Sequence, residues 1–255
     1  MDKRKSPVVG PESPAAAQAI ISRQYDQIAP SVAYGSGLNQ YLVVWEDQYP
    51  GQGSNSDIYG WRVNYTGVPV GNAFGIASGS NEELAPDVAH NYVQQDYLVV
   101  WQDEWSSTDY DIIARRVDYD GTLLGSEILV AYTSDYDQNP VVAYSPTQDS
   151  YLVVWERRVG DPEFPQWDIY ARVVDSNGSL PGSAFALDTG NASQEHPAVA
   201  YNSDWDEYLV VWQDKTAGNW DIMGRFVDGD GTLLTGEGTI EAPGHDQTWP
   251  DIAYN

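Results

Sequence analysis

The pentapeptide Tyr-Leu-Val-Val-Trp occurs four times in this chain of 255 residues, with copies that begin at Tyr41, Tyr97, Tyr151 and Tyr208. Successive copies are 56, 54 and 57 residues apart, so the chain is a tandem array of units of nearly constant length. Such a period indicates that each unit is one supersecondary element, which buries its apolar surface against its neighbours. The repeat therefore determines the architecture.

Each unit contains four short segments bounded by Gly, Pro, Asn or Asp, a pattern that predicts strands joined by tight turns. The first segment ends in Pro-x-Val/Ile-Ala-Tyr, as in residues 30–34, and the second is the Tyr-Leu-Val-Val-Trp run. Apolar residues at consecutive positions of this second segment predict a strand buried on both faces. The third segment begins with Asp-Ile, and the turn after it ends in Gly, which supplies the positive φ of a hairpin. The fourth segment has the weakest pattern.

Four antiparallel strands per unit, one of them doubly buried, predict blades packed face to face around an axis, which is a β-propeller. Residues 24–255 resemble the bacterial exported β-propeller repeat proteins, in which a Tyr-Leu-Val-Val-Trp strand precedes an Asp-Ile strand. The resemblance implies an all-β fold and an extracellular or cell-surface location, and it does not select an activity. The Ser-x-Asp-x-Gly-x-Thr-Trp turn of sialidase-type propellers is absent from the sequence.

The expected fold is an all-β propeller with four complete four-stranded blades plus split terminal strands. We expect a flexible leader over residues 1–16, which are rich in Pro, Ala and Ser, and a propeller over residues 17–255. The units are expected to begin near residues 28, 84, 138 and 195, and a partial unit occupies residues 248–255.

The balance of charge limits the partners of the chain. Twelve basic and 38 acidic residues give a formal net charge of −26, which repels nucleic acid and anionic membrane surfaces. No apolar run is long enough to cross a bilayer, so membrane insertion is not expected. Cysteine is absent, so packing alone must hold the fold.

The two ends of the array do not match. Residues 249–254 begin a fifth unit that stops, and residues 17–22 resemble the last strand of a preceding unit. Three explanations remain open: closure within one chain, a fragment of a larger ring, or exchange of terminal strands between chains, which would build a homopolymer. The residues assigned to such assembly are Ala17, Ile20, Ile21, Trp249, Ile252 and Tyr254.

Acidic residues at the ends of the second strand and the start of the third are candidate ligands for calcium, the one cofactor that the sequence suggests, because hard oxygen donors suit this cation. A hairpin would bring Asp47 near Asp57, Asp103 near Asp111, and Asp214 near Asp221. The alternative is that each Asp caps its own turn by accepting backbone N–H bonds.

The same loops carry aromatic residues that could stack on a sugar ring or contact a protein partner. Those selected are Trp105, Phe164, Trp167 and Trp220. The alternative is that these rings pack over their own loops and shield the edges of the blades.

No catalytic residues are predicted, because the prominent acids recur at the same offset in several units, which favours architecture over catalysis. Glu163 and Glu195 are irregular acids that could serve glycoside cleavage, and the three histidines lack the spacing of zinc ligands. The leading interpretation is a non-enzymatic extracellular structural or interaction module, with itself or other surface components as partners and filament formation as its most specific form. The alternatives are a glycan-binding, lectin-like module and, ranked last, a glycoside hydrolase.

Overall fold

The computed structural model describes residues 26–48, 55–106, 109–161, 164–190, 192–215, 218–234, 236, 238–241 and 244–254. Within this part of the chain the ordered elements are 16 β-strands, which form four antiparallel sheets of four strands each. Each sheet takes its strands from one repeat in sequence order, so each repeat is one blade. The prediction of an all-β propeller with four complete blades is confirmed.

The blades follow one another along the chain, and their strands have the following bounds. Blade 1 contains β1 (Gln27–Gly35), β2 (Gln40–Gln48), β3 (Ser56–Asn64) and β4 (Pro69–Ala77). Blade 2 contains β5 (Glu82–Asn91), β6 (Asp96–Ser106), β7 (Asp109–Asp118) and β8 (Leu123–Ala131). Blade 3 contains β9 (Asp137–Ser145), β10 (Ser150–Asp161), β11 (Phe164–Asp175) and β12 (Phe185–Asp188). Blade 4 contains β13 (Gln194–Asn202), β14 (Glu207–Asp214), β15 (Asp221–Asp228) and β16 (Gly238–Glu241).

The core lies between the blades. Three clusters of buried residues join blade 1 to blade 2, blade 2 to blade 3, and blade 3 to blade 4. The tryptophans of the repeated pentapeptide are all buried: Trp45, Trp101, Trp155 and Trp212. Burying a large aromatic side chain contributes roughly 2–3 kcal/mol, so these four residues are major stabilisers of the packing.

Each third strand has Gly or Ala three residues after its Asp, and this small residue leaves space for a side chain of the fourth strand of the same blade. A side chain at Gly60 would meet Ile76 and Phe74 of β4, and one at Gly224 would meet Ile240 of β16. An aliphatic or Phe side chain from the fourth strand therefore fills the space beside it.

Arginines of the third strand tie neighbouring blades together. The guanidinium groups of Arg115, Arg172 and Arg225 donate to backbone carbonyls of the preceding blade, at Ile76 (3.2 Å), Val130 (2.7 Å) and Leu187 (2.6 Å). Each bond satisfies a carbonyl in or next to the outermost strand of a sheet.

Residues 249–254 follow blade 4 and are not paired in any of the four sheets. The backbone N–H of Trp249 donates to the side-chain oxygen Oε1 of Gln213 in blade 4 (3.1 Å). This segment is therefore placed as the innermost strand of a fifth blade, although the described residues do not include a second or third strand to pair with it. No helix in the described part of the chain is long and apolar enough to span a membrane.

Candidate functional site

A pocket of about 400 Å³ lies where the innermost segments of the blades meet, and we call it the central pocket. All four inner strands and the segment that begins at Trp249 contribute to its lining. In each case the lining residues are those around the proline that recurs at the same place in every unit. The five prolines that surround it are Pro30, Pro86, Pro140, Pro197 and Pro250. The pocket therefore has pseudo-fivefold symmetry, and four blades plus one inner segment form its wall.

The residue before each of these prolines has a positive φ, although none is glycine. The five are Ala29 (46°), Ala85 (50°), Asn139 (51°), His196 (55°) and Trp249 (58°). Such a backbone costs a non-glycine residue about 1–3 kcal/mol, and the surrounding structure must compensate for it. In the four sheets, the pairing of the inner strand with the second strand shifts register at this point, which marks a β-bulge.

The bulge is held by a side chain from the preceding blade. The residue directly after the pentapeptide accepts a hydrogen bond from the backbone N–H of the positive-φ residue in the next blade. The four pairs are Glu46 with Ala85 (3.4 Å), Gln102 with Asn139 (2.9 Å), Glu156 with His196 (2.8 Å) and Gln213 with Trp249 (3.1 Å). These side chains are buried, so each brace satisfies a backbone donor that the bulge removes from its sheet.

Asp87 is the carboxylate that lines the central pocket. One of its oxygens accepts a bond from the Ser31 hydroxyl (2.6 Å), and the other accepts the backbone N–H of Val142 (2.8 Å). Asp87 therefore joins the inner strands of blades 1, 2 and 3. Burial raises the pKa of Asp87, while the hydrogen bonds from Ser31 and Val142 oppose that increase.

An aromatic pair lies across the pocket. The imidazole of His196 stacks on the indole of Trp249 with ring centroids 3.7 Å apart, and Trp249 keeps 72% of its surface exposed. Behind the stack, Oε1 of Glu156 lies 3.9 Å from Nδ1 of His196, in addition to its bond with the backbone. The same position in blades 2 and 4 is Gln102 and Gln213, so the backbone brace does not require the negative charge of Glu156.

The central pocket thus combines an exposed indole, a carboxyl group with a raised pKa and further polar groups on Ser31, Asn139 and His196. Indole faces stack on the apolar faces of sugar rings, and carboxyl groups bind sugar hydroxyls or transfer protons to glycosidic oxygens. The arrangement can therefore bind a neutral polar ring and present an acid to it.

Sequence reasoning did not select Asp87, His196 or Trp249 as members of a pocket. Sequence analysis considers His196 only as a zinc ligand, for which its spacing from the other histidines is unsuitable, and it assigns Trp249 to assembly. The available signal was the variation around the repeated proline: this offset carries Ala, Ala, Asn, His and Trp before Pro, and Ser, Asp, Val, Ala and Asp after it. Glu195 accepts a bond from Ser193 and is not in the lining of the pocket, and Glu163 lies outside the described residues.

The aromatic residues selected from the loops are not gathered in one place by any contact in the described structure. Trp105 packs edge-on against Tyr132, Trp167 packs against Tyr136, and Trp220 lies under the ammonium group of Lys215. Trp105 and Trp167 thus contact the connection between β8 and β9, and Trp220 contacts a residue of its own loop. Phe164 begins β11, and its side chain is outside the described part.

The hairpins bring the predicted acidic pairs directly opposite one another. Asp47 faces Asp57, Asp103 faces Asp111, and Asp214 faces Asp221. Side-chain amides bind several of these carboxylates, as Gln27 does at Asp47 (3.0 Å), Asn81 at Asp103 (2.7 Å) and Gln194 at Asp214 (3.0 Å). Among the described residues there is no group of three or more metal-binding side chains that could hold an ion. Calcium binding stays a prediction.

The residues assigned to assembly fall into two groups. Ala17, Ile20 and Ile21 lie outside the described residues. Ile252 is half-buried and Tyr254 is 43% exposed, and both belong to the inner segment of the fifth blade together with Trp249.

Neither a family model nor a curated protein matches this sequence. Solved structures do match the fold. An endo-arabinase from Bacteroides thetaiotaomicron has a TM-score of 0.53 and 12% identity, with 84% of this chain and 81% of that chain covered. The α-L-arabinofuranosidase from Podospora anserina in complex with cellotriose has a TM-score of 0.54 and 11% identity, over 98% and 77%. A Hadza microbial sialidase has a TM-score of 0.60 and 11% identity, over 86% and 47%.

At these identities the likeness establishes the propeller fold alone. It also corrects the order of the functional hypotheses. The leading interpretation, a non-enzymatic structural module that assembles into filaments through its terminal strands, was wrong, because the solved structures with this fold are mostly named as enzymes that act on carbohydrates. The findings favour the glycoside hydrolase alternative that was ranked last.

Proposed function

We propose that this chain is a carbohydrate-active propeller that binds a sugar residue in the central pocket and hydrolyses its glycosidic bond. The observation that supports this most directly is the placement of Asp87, a carboxyl group with a raised pKa, in the wall of a pocket that also contains the exposed indole of Trp249. The similarity to arabinan-cleaving and other carbohydrate-active propellers agrees with this proposal and does not supply its substrate.

In this proposal, Asp87 acts as the general acid. Its proton passes to the oxygen of the leaving group as the bond between that oxygen and the anomeric carbon breaks. A second carboxylate must activate the water that attacks the anomeric carbon. Asp251 is not itself in the lining of the pocket, but it is our candidate because it is exposed and follows the lining residue Pro250 at the offset at which Asp87 follows Pro86.

The stack of Trp249 on His196 is assigned to substrate binding. An indole that is fixed on one face and open on the other is suited to packing against a sugar ring. Secretion of the protein, so that it meets glycans outside the cell, is part of the same proposal.

The test is a hydrolysis screen with aryl glycosides and with plant and bacterial oligosaccharides. Variants of the protein are then assayed on the substrate that is cleaved. Asp87→Asn and Asp251→Asn should each lower kcat by about 10²–10⁴-fold, the usual contribution of an acid or base in catalysis. Asp120→Asn, which changes an exposed acid in a hairpin turn, is the matched control and should retain full activity. Trp249→Ala should raise KM about tenfold, whereas Trp205→Ala, at another exposed indole, should not.

A second candidate is glycan binding without cleavage. It is favoured by the two hydrogen bonds that Asp87 accepts from Ser31 and Val142. Under this alternative, the role of Asp87 is to hold three inner strands together. Under this alternative the parent chain would bind oligosaccharides on a glycan array without hydrolysing them, and Trp249→Ala would weaken binding. A chain that neither binds nor cleaves any carbohydrate would contradict both candidates.

A further inference from the structure

Among the described residues, no sheet lies between blade 4 and blade 1, and we call this interval the gap. Each blade has a leading face, which contacts the preceding blade, and a trailing face, which contacts the next. The three closed interfaces between blades 1 and 4 bury a cluster of apolar residues from one trailing and one leading face. The trailing face of blade 4 and the leading face of blade 1 have no such cluster in the described residues.

Part of the leading face of blade 1 is exposed where the same residues of other blades are buried, although Trp45 on this face is 1% exposed. Val32 has 58% of its surface exposed, whereas Val88, at the same position in blade 2, has 6%. Tyr41 is 38% exposed, whereas Tyr97 in blade 2 is 3% exposed. The residue types are unchanged, so the difference comes from what covers them.

The trailing face of blade 4 shows the same contrast. Ile240 is 54% exposed, and its counterpart in blade 1, Ile76, is 1% exposed. Beside Ile240 is a largely apolar pocket of about 260 Å³, lined also by Leu209, Gly224 and Phe226. In blades 1 to 3 the residues that correspond to Leu209 are fully buried.

The inner segment 249–254 shows how the gap is organised. The brace from Gln213 to the backbone of Trp249 repeats the contact that joins blades 1 to 4 pairwise, so a fifth blade has begun in the usual register. In blades 1 to 4 the inner strand pairs along its length with the second strand, and this pairing is absent for residues 249–254. An inner strand with a free edge invites strand addition.

We propose that the gap is a docking surface for a β-hairpin that supplies the second and third strands of a fifth blade. The continuity of the repeat defines the chemistry of this partner. Its first strand pairs antiparallel with residues 249–254 and is apolar on both faces, in the manner of Tyr-Leu-Val-Val-Trp, because one face meets Ile240 and Leu209 and the other meets Val32 and Tyr41.

A second copy of this chain is a poor source of that hairpin. All four Tyr-Leu-Val-Val-Trp strands are interior strands of their own sheets, each paired on both edges, so none is free to be donated. The fitting occupant is therefore a further hairpin with this pattern, and the proposal does not depend on the activity of the central pocket.

The chain lacks cysteine, which allows a direct test with a single introduced thiol. Val32→Cys reports on the open face, and Val88→Cys is the matched control at the same position of a closed interface. In the parent chain, maleimide should modify the Val32→Cys variant roughly tenfold or more faster than the Val88→Cys variant, because the latter reacts only after local opening.

The hairpin is then supplied by appending a copy of residues 203–229 after Asn255, since Ala253-Tyr254-Asn255 matches Ala200-Tyr201-Asn202. The reaction of the Val32→Cys variant should slow to the rate of the Val88→Cys variant, and Tm should rise. An appended copy that carries Val210→Lys and Trp212→Lys should change neither quantity. If the extended chain folds poorly, the same 27-residue segment is added as a free peptide, and it should give the same protection.

Two results would overturn the proposal. One is slow modification of the Val32→Cys variant in the parent chain, which would mean that another part of the chain or, if sedimentation shows a dimer, a second copy already covers the face. The other is fast modification that neither the appended segment nor the peptide slows.

Discussion

Blades 2 and 3 carry opposite combinations of charge at the same cross-strand pair, which lies at the start of the inner strand. In blade 2, Glu83 on β5 faces Asp103 on β6, so two acids are adjacent. In blade 3, Asp137 on β9 faces Arg157 on β10, and the two form a bidentate ion pair with N–O distances of 2.7 and 2.8 Å.

The environment of each pair makes this difference important. Only 3% of the surface of Glu83 is exposed, and its oxygen Oε2 has no hydrogen-bond partner among the residues that the structure describes. Burial, followed by the charges of Asp57 and Asp103, raises the pKa of Glu83 to about 8. In blade 3, Asp137 also accepts the indole N–H of Trp155 (2.8 Å), whereas the indole nitrogens of Trp45, Trp101 and Trp212 have no hydrogen-bond partner in the described part of the chain. In blade 2, the neighbouring acid thus opposes the ionisation of Glu83, whereas in blade 3 the ion pair with Arg157 requires Asp137 to be ionised.

The largest expected effect is at the ion pair. Arg157→Met would leave the carboxylate of Asp137 buried without its cation, which should lower the free energy of unfolding by about 3–5 kcal/mol. Urea unfolding at pH 7 measures this value. Arg158→Met, which removes the neighbouring positive charge, is the control and should cost about 1 kcal/mol or less. Adding Asp137→Asn to Arg157→Met should recover part of the loss, and no recovery would mean that Arg157 stabilises the blade by packing alone.

The second effect is a dependence of stability on pH. Between pH 4.5 and about 8, folded Glu83 keeps a proton that the unfolded chain has released, so its contribution is complete below pH 4.5 and is lost as the pH rises through 8. The slope for one such group is at most about 1.4 kcal/mol per pH unit. Glu83→Gln should flatten the curve of unfolding free energy against pH, whereas Glu207→Gln, in blade 4, should leave it unchanged. An equal slope in the parent and Glu83→Gln would refute the assigned pKa.

The smallest effect comes from copying the blade 2 pattern into blade 1. The amide of Gln27 donates to the buried Asp47 (3.0 Å), so Gln27→Glu would replace a hydrogen bond with a second acid. The expected cost at pH 7 is about 1–2 kcal/mol, measured by thermal or urea unfolding. Gln40→Glu adds the same charge beside Arg62 and should cost nothing measurable. Equal stability of both variants would show that Asp47 tolerates a neighbouring acid.

The sequence predicted the fold well because the fold depends on features that repeat. Four copies of a doubly apolar strand and a glycine turn specify four blades, and the tryptophans of the pentapeptide are buried as expected. The burial of Trp45 or Trp212 depends on its own unit and its neighbours, so a local pattern is sufficient to predict it.

The central pocket was not predicted, because its residues are brought together by the ring and not by any one unit. Asp87, His196 and Trp249 belong to three different units, and each varies at an offset where the repeat has no fixed residue. A search for recurrent acids therefore selected Asp47, Asp103 and Asp214, which are adjacent to partners within their blades, and passed over the acid at the axis.

The left-handed residue before each proline has a consequence for how this ring can evolve. At four of the five positions its backbone N–H is held by a carboxyl or amide group of the preceding blade, so this bond does not depend on which side chain the residue carries. A methyl group, a carboxamide, an imidazole and an indole all occur at this position in one molecule, and the backbone angle φ stays between 46° and 58°. The side chains at these five positions around the axis can therefore change one at a time while the backbone of the ring is retained.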